Sequence, residues 1–229
     1  MAVEFAIAIL AAGSVTIQVA LASLVIAILI GLAGAFAKLS ASRALRALAG
    51  IYTFIIRGIP DLVIMLLIYY SLPALLNQWA DALGLNVRVE FPAAIAGVAT
   101  LGLIFGAYMT ETFRTALQNI PKGQIEAALS YGLTRSRIFF RIILPQLIRL
   151  SLPGFTNNWL VLAKATALVS LIGLQDVMFR AKGAAESTGM PFTFYLVAAG
   201  FYLALTIASM VLLSFVARRF NAGVKELAS

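Results

Sequence analysis

Cysteine and histidine are both absent from this chain of 229 residues, and only 11% of its residues carry charge. The lack of cysteine excludes a disulfide framework and thiolate chemistry, and leaves the redox compartment open. The lack of histidine removes the commonest general base and metal ligand. No span holds a pair of carboxylates, so an intramembrane enzyme has little to work with. The pattern G-x-x-x-x-G-K-[ST], whose backbone amides cradle nucleotide phosphates, occurs nowhere, and no ATP site is expected in this chain.

Apolar residues, by contrast, make up 62% of the sequence, whereas soluble domains are roughly half apolar and about a quarter charged. This composition predicts an all-α integral membrane protein. A net charge of +8 invites a nucleic-acid reading. The basic residues, however, fall in short clusters between apolar runs, with no basic face and no aromatic platform, so no nucleic acid is expected. A helix needs about 20 apolar residues to cross a bilayer. Uncharged runs separate Glu4 from Lys38, Asp61 from Asp81, Glu90 from Glu111 and Glu186 from Arg218, and the run from Leu150 to Gln175 carries only Lys164. The reading is five transmembrane helices in one domain, residues 1–229, near 13–37, 54–76, 92–112, 143–172 and 193–216. The first run lacks a preceding basic region and is too long for a cleaved signal core, so it is expected to be retained.

Short loops rich in Lys and Arg stay in the cytoplasm. Lys38, Arg43, Arg46 and Arg57 lie between the first two spans; Arg114, Lys122, Arg135, Arg137, Arg141 and Arg149 lie between the third and fourth; Arg218, Arg219 and Lys225 follow the fifth. Only Arg88, Arg180 and Lys182 fall on the other side. This bias places the amino terminus outside and the carboxyl terminus inside. Ala27, Gly31 and Ala35, and the pair Gly102 and Gly106, recur at four-residue spacing and predict close helix packing within the chain, favoured over a dimer seam.

The segment "EAALSYGLTRSRIFFRIILPQL", Glu126 to Leu147, interrupts the apolar pattern and falls on the cytoplasmic side. Pro121 suits the first turn of a helix over Lys122–Ser130, Gly132 suits a left-handed C-cap, and Thr134 suits the cap of a second helix leading into the fourth span. A helix this short gains its order from packing. Ile125, Ala128 and Leu129 share one face, a small apolar knob suited to a partner's groove. An interfacial helix lying on anionic headgroups is the alternative, so membrane lipid is a partner in either case.

Glu126, Ala127, Ala128, Gly132, Ile142, Leu144 and Pro145 fall at the intervals of the EAA-x3-G-x9-I-x-LP signature. With "RGIP" (Arg57 to Pro60), "AYMTETFRTALQNIPKGQIEAALSYGL" (Ala107 to Leu133) and "NNWLVLAKATALVSLIGLQD" (Asn157 to Asp176), the chain resembles permease subunits of ATP-binding-cassette (ABC) importers. The resemblance covers nearly the whole chain, Val15 to Arg219. It is nearest to the polar-amino-acid branch that imports histidine, lysine, arginine, ornithine or opines. It implies a type I ABC importer permease fold in the bacterial inner membrane, with a cytoplasmic coupling loop at about 113–142. It also implies that Glu126 contacts an ATPase, that Ala127 and Ala128 pack closely against it and that Gly132 forms the turn. The implied partners are a second permease subunit, two ATP-binding subunits that hold ATP and Mg, and a periplasmic solute-binding protein. No cofactor, metal or catalytic residue is expected on this chain.

Intramembrane charges are the default markers of a transport path. Arg57 and Asp61 are four apart at the start of the second span and are expected to pair across a helical turn, as a gate or as an interfacial anchor in which Arg57 snorkels. Glu111 and Arg114 are expected to form a surface pair, with substrate contact as the lesser alternative. Asn157, Asn158, Lys164 and Thr166 sit where the fourth span could present a polar seam. Many family members resemble "KDTSL" where this chain has Lys164, Ala165, Thr166, Ala167 and Leu168, so a carboxylate is missing at Ala165. That departure implies a heteromeric pore whose other permease carries the acidic group. An ion-coupled secondary transporter is the functional alternative, though no internal repeat is visible to support it.

Overall fold

The computed structural model describes residues 2–221, all of whose regular structure is helical. Lys225, the last of the basic tail residues, lies outside that range. Five helical stretches are long and apolar enough to cross a membrane: Val3–Leu39, Asp61–Ala82, Ala93–Gln118, Arg135–Ile172 and Pro191–Phe220. They correspond one for one to the five expected spans.

The first stretch consists of α1 (Ala2–Ala11) and α2 (Gly13–Leu39), and α3 (Arg43–Gly58) follows it. The expected second span, 54–76, begins too early. Residues 54–58 belong to α3, and the helix stops at Ile59, whose φ of −110° and ψ of 138° are extended. Pro60 explains the break, because it lacks an N–H and pushes the residue before it out of the helical region. The crossing restarts as α4 (Asp61–Leu66) and continues through a π-helical turn, Leu67–Ser71, into α5 (Leu72–Ala82). The third span is α6 (Ala93–Gln118). The connection after it forms α7 (Lys122–Ser130) and α8 (Arg135–Ile138). A second π turn, Phe139–Ile143, leads into α9 (Leu144–Ala165) and a 3-10 stretch, Thr166–Ile172. Two more helices, α10 (Val177–Thr188) and α11 (Pro191–Asn221), complete the chain. Of these, α10 and the part of α3 before residue 54 lie outside the five expected spans.

Both π turns end two residues before a proline, Pro73 and Pro145. Each proline ring would press on the carbonyl four residues earlier, Tyr69 or Arg141, while offering that carbonyl no N–H. The helix widens instead: the N–H of Leu72 reaches the carbonyl of Leu67, and that of Leu144 the carbonyl of Phe139, each five residues back.

The most extensive packing joins α2 to α6. A Cβ added to Gly102 would lie 2.5 Å from Ile26 Cγ2, one on Gly106 2.7 Å from Ile30 Cγ2, and one on Gly31 2.5 Å from Met109 Cβ. The small residues are therefore consumed within the chain, as expected, and they hold two backbones in close approach. The partners advance together along both helices, so α2 and α6 run parallel. Two parallel crossings require one return crossing between them, which is why α3 does not traverse. Gly154 and Asn158 of α9 meet Thr112, whereas Val169 meets Gly97, so α9 runs antiparallel to α6.

Where α2 and α6 end, Lys38 Nζ meets both Glu111 Oε1 and Thr53 Oγ1, and Arg114 reaches Glu111 Oε2 at 2.8 Å. The expected Glu111–Arg114 pair is thus one arm of a network that also ties α3 to α2 and α6. Sequence spacing exposes only the i,i+3 arm; the 73-residue separation of Lys38 from Glu111 hides the other.

Candidate functional site

The coupling segment forms as its residues dictate. Pro121, in extended conformation, takes the N-cap position one residue before the expected first turn. At the other end Gly132 has φ +74°. Its N–H donates to the Leu129 carbonyl at 2.9 Å, and that of Leu133 donates to the Ala128 carbonyl at 3.1 Å, the two bonds of a Schellman motif. The Thr134 side chain then accepts from the Arg137 N–H and caps α8. Gln146 Nε2 donates to Gln124 Oε1 at 2.7 Å, fixing α7 to the base of α9.

The exposed surface of α7 differs from the predicted apolar knob. Ala128 is buried within its own chain at 5% exposure, while Glu126, Ala127 and Leu129 face outward, followed by Tyr131 at 87%. The outward face thus combines one carboxylate, one methyl, one isobutyl group and an aromatic ring. Tyr131 adds to this exposed face and is not marked by the helical spacing, because it falls at the cap of α7.

The polar residues of the spans divide. Asp61, Asn157 and Asn158 are brought together, with Phe105, Tyr108 and Val161, around a cavity of about 140 Å³. Asn158 Nδ2 donates to Thr112 Oγ1 at 3.0 Å, which locks the α9 amide to α6. Lys164, in contrast, is exposed and lines no wall of that cavity, and Thr166 is buried at 1% with its hydroxyl donating to the Ala163 carbonyl at 2.7 Å. The expected seam therefore ends at Asn158.

Arg57 and Asp61 form no ion pair among the described residues, contrary to expectation, because the break at Ile59–Pro60 removes the helical turn that would have joined them. Arg57 instead sits over the ring of Tyr108, 5.2 Å from its centroid. Tyr108 also lines a second cavity, about 560 Å³, with Lys38, Thr53 and Arg57. One ring thus stands between an acidic, amide-lined space and a basic one. Tyr108 falls three residues before Glu111 in the quoted Ala107–Leu133 stretch, but nothing in a tyrosine's spacing marks a partition.

Outside the spans, Asp176 is buried at 1% exposure and caps α10, accepting from the Phe179 N–H at 2.8 Å. Its other oxygen has no hydrogen-bond partner among the described residues. Burial outweighs the backbone bonds and pushes the carboxyl up to about 6 from 3.8. Because the native group holds its proton more tightly than the unfolded one, this carboxyl opposes folding at neutral pH, and that cost disappears as pH falls through 6 towards 4. A two-unit shift corresponds to up to about 3 kcal/mol. The thermal midpoint in detergent is expected to rise between pH 7.5 and pH 5. Asp176→Asn, which keeps the cap acceptor, is expected to raise the midpoint at pH 7.5 and flatten the profile; an unchanged pH slope would refute the assignment.

The family model described as "Binding-protein-dependent transport system inner membrane component" matches residues 27–222. The chain is 49% identical over 212 residues to the histidine/lysine/arginine/ornithine transport system permease protein HisQ of Salmonella typhimurium, covering 93% of this chain and 92% of that one. It is 40% identical over 200 residues to the octopine transport system permease protein OccQ of Rhizobium meliloti, covering 87% and 84%. With the arginine ABC transporter permease protein ArtQ of Haemophilus influenzae it shares 39% identity over 217 residues, covering 93% and 95%. The crystal structure of an amino acid ABC transporter with histidines superimposes with a TM-score of 0.79 at 31% identity, covering 95% of this chain and 96% of that one. The MetNI methionine ABC transporter superimposes at 0.72 with 17% identity, covering 93% and 96%, and speaks for the fold alone. With the EAA segment folded as a capped helix and the five crossings in place, the chain belongs to the family of binding-protein-dependent transport system inner membrane components, the permease subunits of ABC importers.

Proposed function

We propose that this permease imports basic or polar amino acids across a bacterial inner membrane, with its amino terminus outside and its carboxyl terminus in the cytoplasm. The whole chain acts as one transmembrane permease unit, and the loop at about 113–142 is its cytoplasmic contact. Two ATP-binding subunits carry ATP and Mg; Glu126 and the outward methyl of Ala127 meet one of them, while Ala128 and Gly132 hold α7 in shape. A periplasmic binding protein delivers the solute. A second permease, a paralogue, completes the path, and the exposed ammonium of Lys164 within a span supports that reading, since such a charge calls for a partner or a watery surface. Asn157 and Asn158, with Asp61 beside them and Arg57 beyond Tyr108, line the way through; Thr166 shapes it from behind.

The observation that carries this reading is the link from α7 to α9: a capped helix with an exposed carboxylate, joined through Gln124 and Gln146 to the span that bears Asn157 and Asn158. ATP binding brings the ATPases together, draws α7 with them and shifts α9; hydrolysis returns it. Co-purification in mild detergent, followed by uptake of labelled arginine and histidine into vesicles holding the recovered complex, tests it. Uptake is expected to require ATP and the binding protein. Uptake driven by an ion gradient without any ATPase would replace this reading with secondary transport.

A further inference from the structure

We propose that Asp61 receives the positively charged end group of the transported solute, in the cavity it shares with Asn157 and Asn158. This rests on the amino-acid import reading above and names the part of the site that reads charge. Asp61 opens the second span directly after Pro60 and makes no hydrogen bond or ion pair among the described residues. The other carboxylates of the second and third spans are engaged: Glu111 by Lys38 and Arg114, and Asp81 by Arg88 at 3.1 Å. An isolated carboxylate within a span is costly unless a cation, a proton or water compensates it.

The cavity beside Asp61 suits a cation. No lysine or arginine lines it; its polar wall is one carboxylate and two carboxamides, and its remaining wall is the aromatic Phe105 and Tyr108 with Val161. The Asn158 amide nitrogen is occupied by Thr112, which leaves its carbonyl oxygen free to accept. At about 140 Å³ the space admits an ammonium or guanidinium head. The opposite charge lies next door. Tyr108 separates this cavity from the one bearing Lys38 and Arg57, so a solute with a cationic head and a carboxylate finds complementary charge on the two sides of one ring.

The test compares arginine with citrulline, which has nearly the same shape without the charge. Uptake of both is measured in vesicles holding the complete complex, always with the same binding protein, so that its own selectivity cancels between variants. Asp61→Asn is expected to raise the KM for arginine at least tenfold, leave citrulline within twofold and leave ATP-dependence intact; Asp61→Glu is expected to keep the preference. Asn157→Asp, which puts a second carboxylate into the same cavity, is expected to increase the arginine-to-citrulline ratio even if Asp61→Asn fails to assemble. A role confined to stabilising the first turn of α4 would lower complex yield in Asp61→Asn without moving that ratio. An unmoved ratio in both Asp61→Asn and Asn157→Asp overturns the assignment, whereas wild-type complex without ATP-driven uptake overturns the import reading instead.

Discussion

Exchanging Glu126 and Gly132 together for arginine is expected to abolish ATP-driven uptake in complexes that still assemble in the membrane. Glu126 is the only acidic group on the outward side of α7, and reversing its sign sets a cation where the ATPase would have met an anion. Like charges brought together at an interface cost several kcal/mol, on the order of a hundredfold or more in affinity. Gly132 acts through shape. At φ +74° a residue with a Cβ is strained by roughly 1–2 kcal/mol, a large share of what holds a nine-residue helix that depends on its packing. No heavy atom lies within 4 Å of a Cβ added there, so the damage comes from the backbone and the protruding guanidinium, with no clash in the membrane core. Substrate-dependent ATPase activity and vesicle uptake are the measurements. Undiminished uptake by the double variant, with the ATPase still bound, would sink the coupling role of α7.

Leucine in place of Gly102 or Gly106 is expected to prevent folding. The added Cβ alone falls 2.5 Å or 2.7 Å from an isoleucine Cγ2, with Ile26 Cβ and Ile30 Cβ at 2.7 Å and 2.9 Å. The obstructing atoms are branched at the root of the side chain, so neither isoleucine can swing away, and the helices must part. Overpacking of a well-filled core costs about 1–3 kcal/mol where the surroundings can relax; here separation of α2 from α6 would also break the contacts of Lys38 with Glu111. The readout is the yield of monodisperse protein in detergent and its thermal midpoint. Gly102→Ala is the graded case, and pairing it with Ile26→Ala is expected to recover most of the loss, because the methyl then enters space that the isoleucine vacates. A Gly102→Leu chain of wild-type stability would show that the seam tolerates separation.

What the sequence made legible, and what it did not, follows from how far each signal reaches along the chain. The five crossings are local facts of composition, and the caps at Gly132 and Thr134 are local facts of turn chemistry; both were readable, and so was the use of small residues at Gly102 and Gly106. The proline at 60 carried a readable warning too, since it restricts Ile59, yet the expected span ran across it. Tertiary placement was another matter. Ala128 and Ala127 are adjacent and chemically alike, but one faces inward and the other outward, because burial of α7 is set by how the chain folds back beyond its cap, where α8 packs against it. Asp61 meets Asn157 and Asn158 across almost a hundred residues, and only the parallel α2–α6 pair with α9 laid antiparallel beside it brings them to one cavity. The same distance hid Lys38 from Glu111, and the aromatic wall at Tyr108 from Arg57.

The widened turn at Phe139–Ile143 sets an angle. An α-helix advances about 100° per residue, and this turn spends one more residue than a regular turn before Pro145. Winding the same residues as a regular α-helix would swing everything above them, Asn157 and Asn158 included, by about 100° relative to α7. The amides would then turn away from Asp61 while α7 stayed where it is. Five residues of irregular winding thus act as the phase setting between the α7 end of the fourth span and the side that carries Asn157 and Asn158.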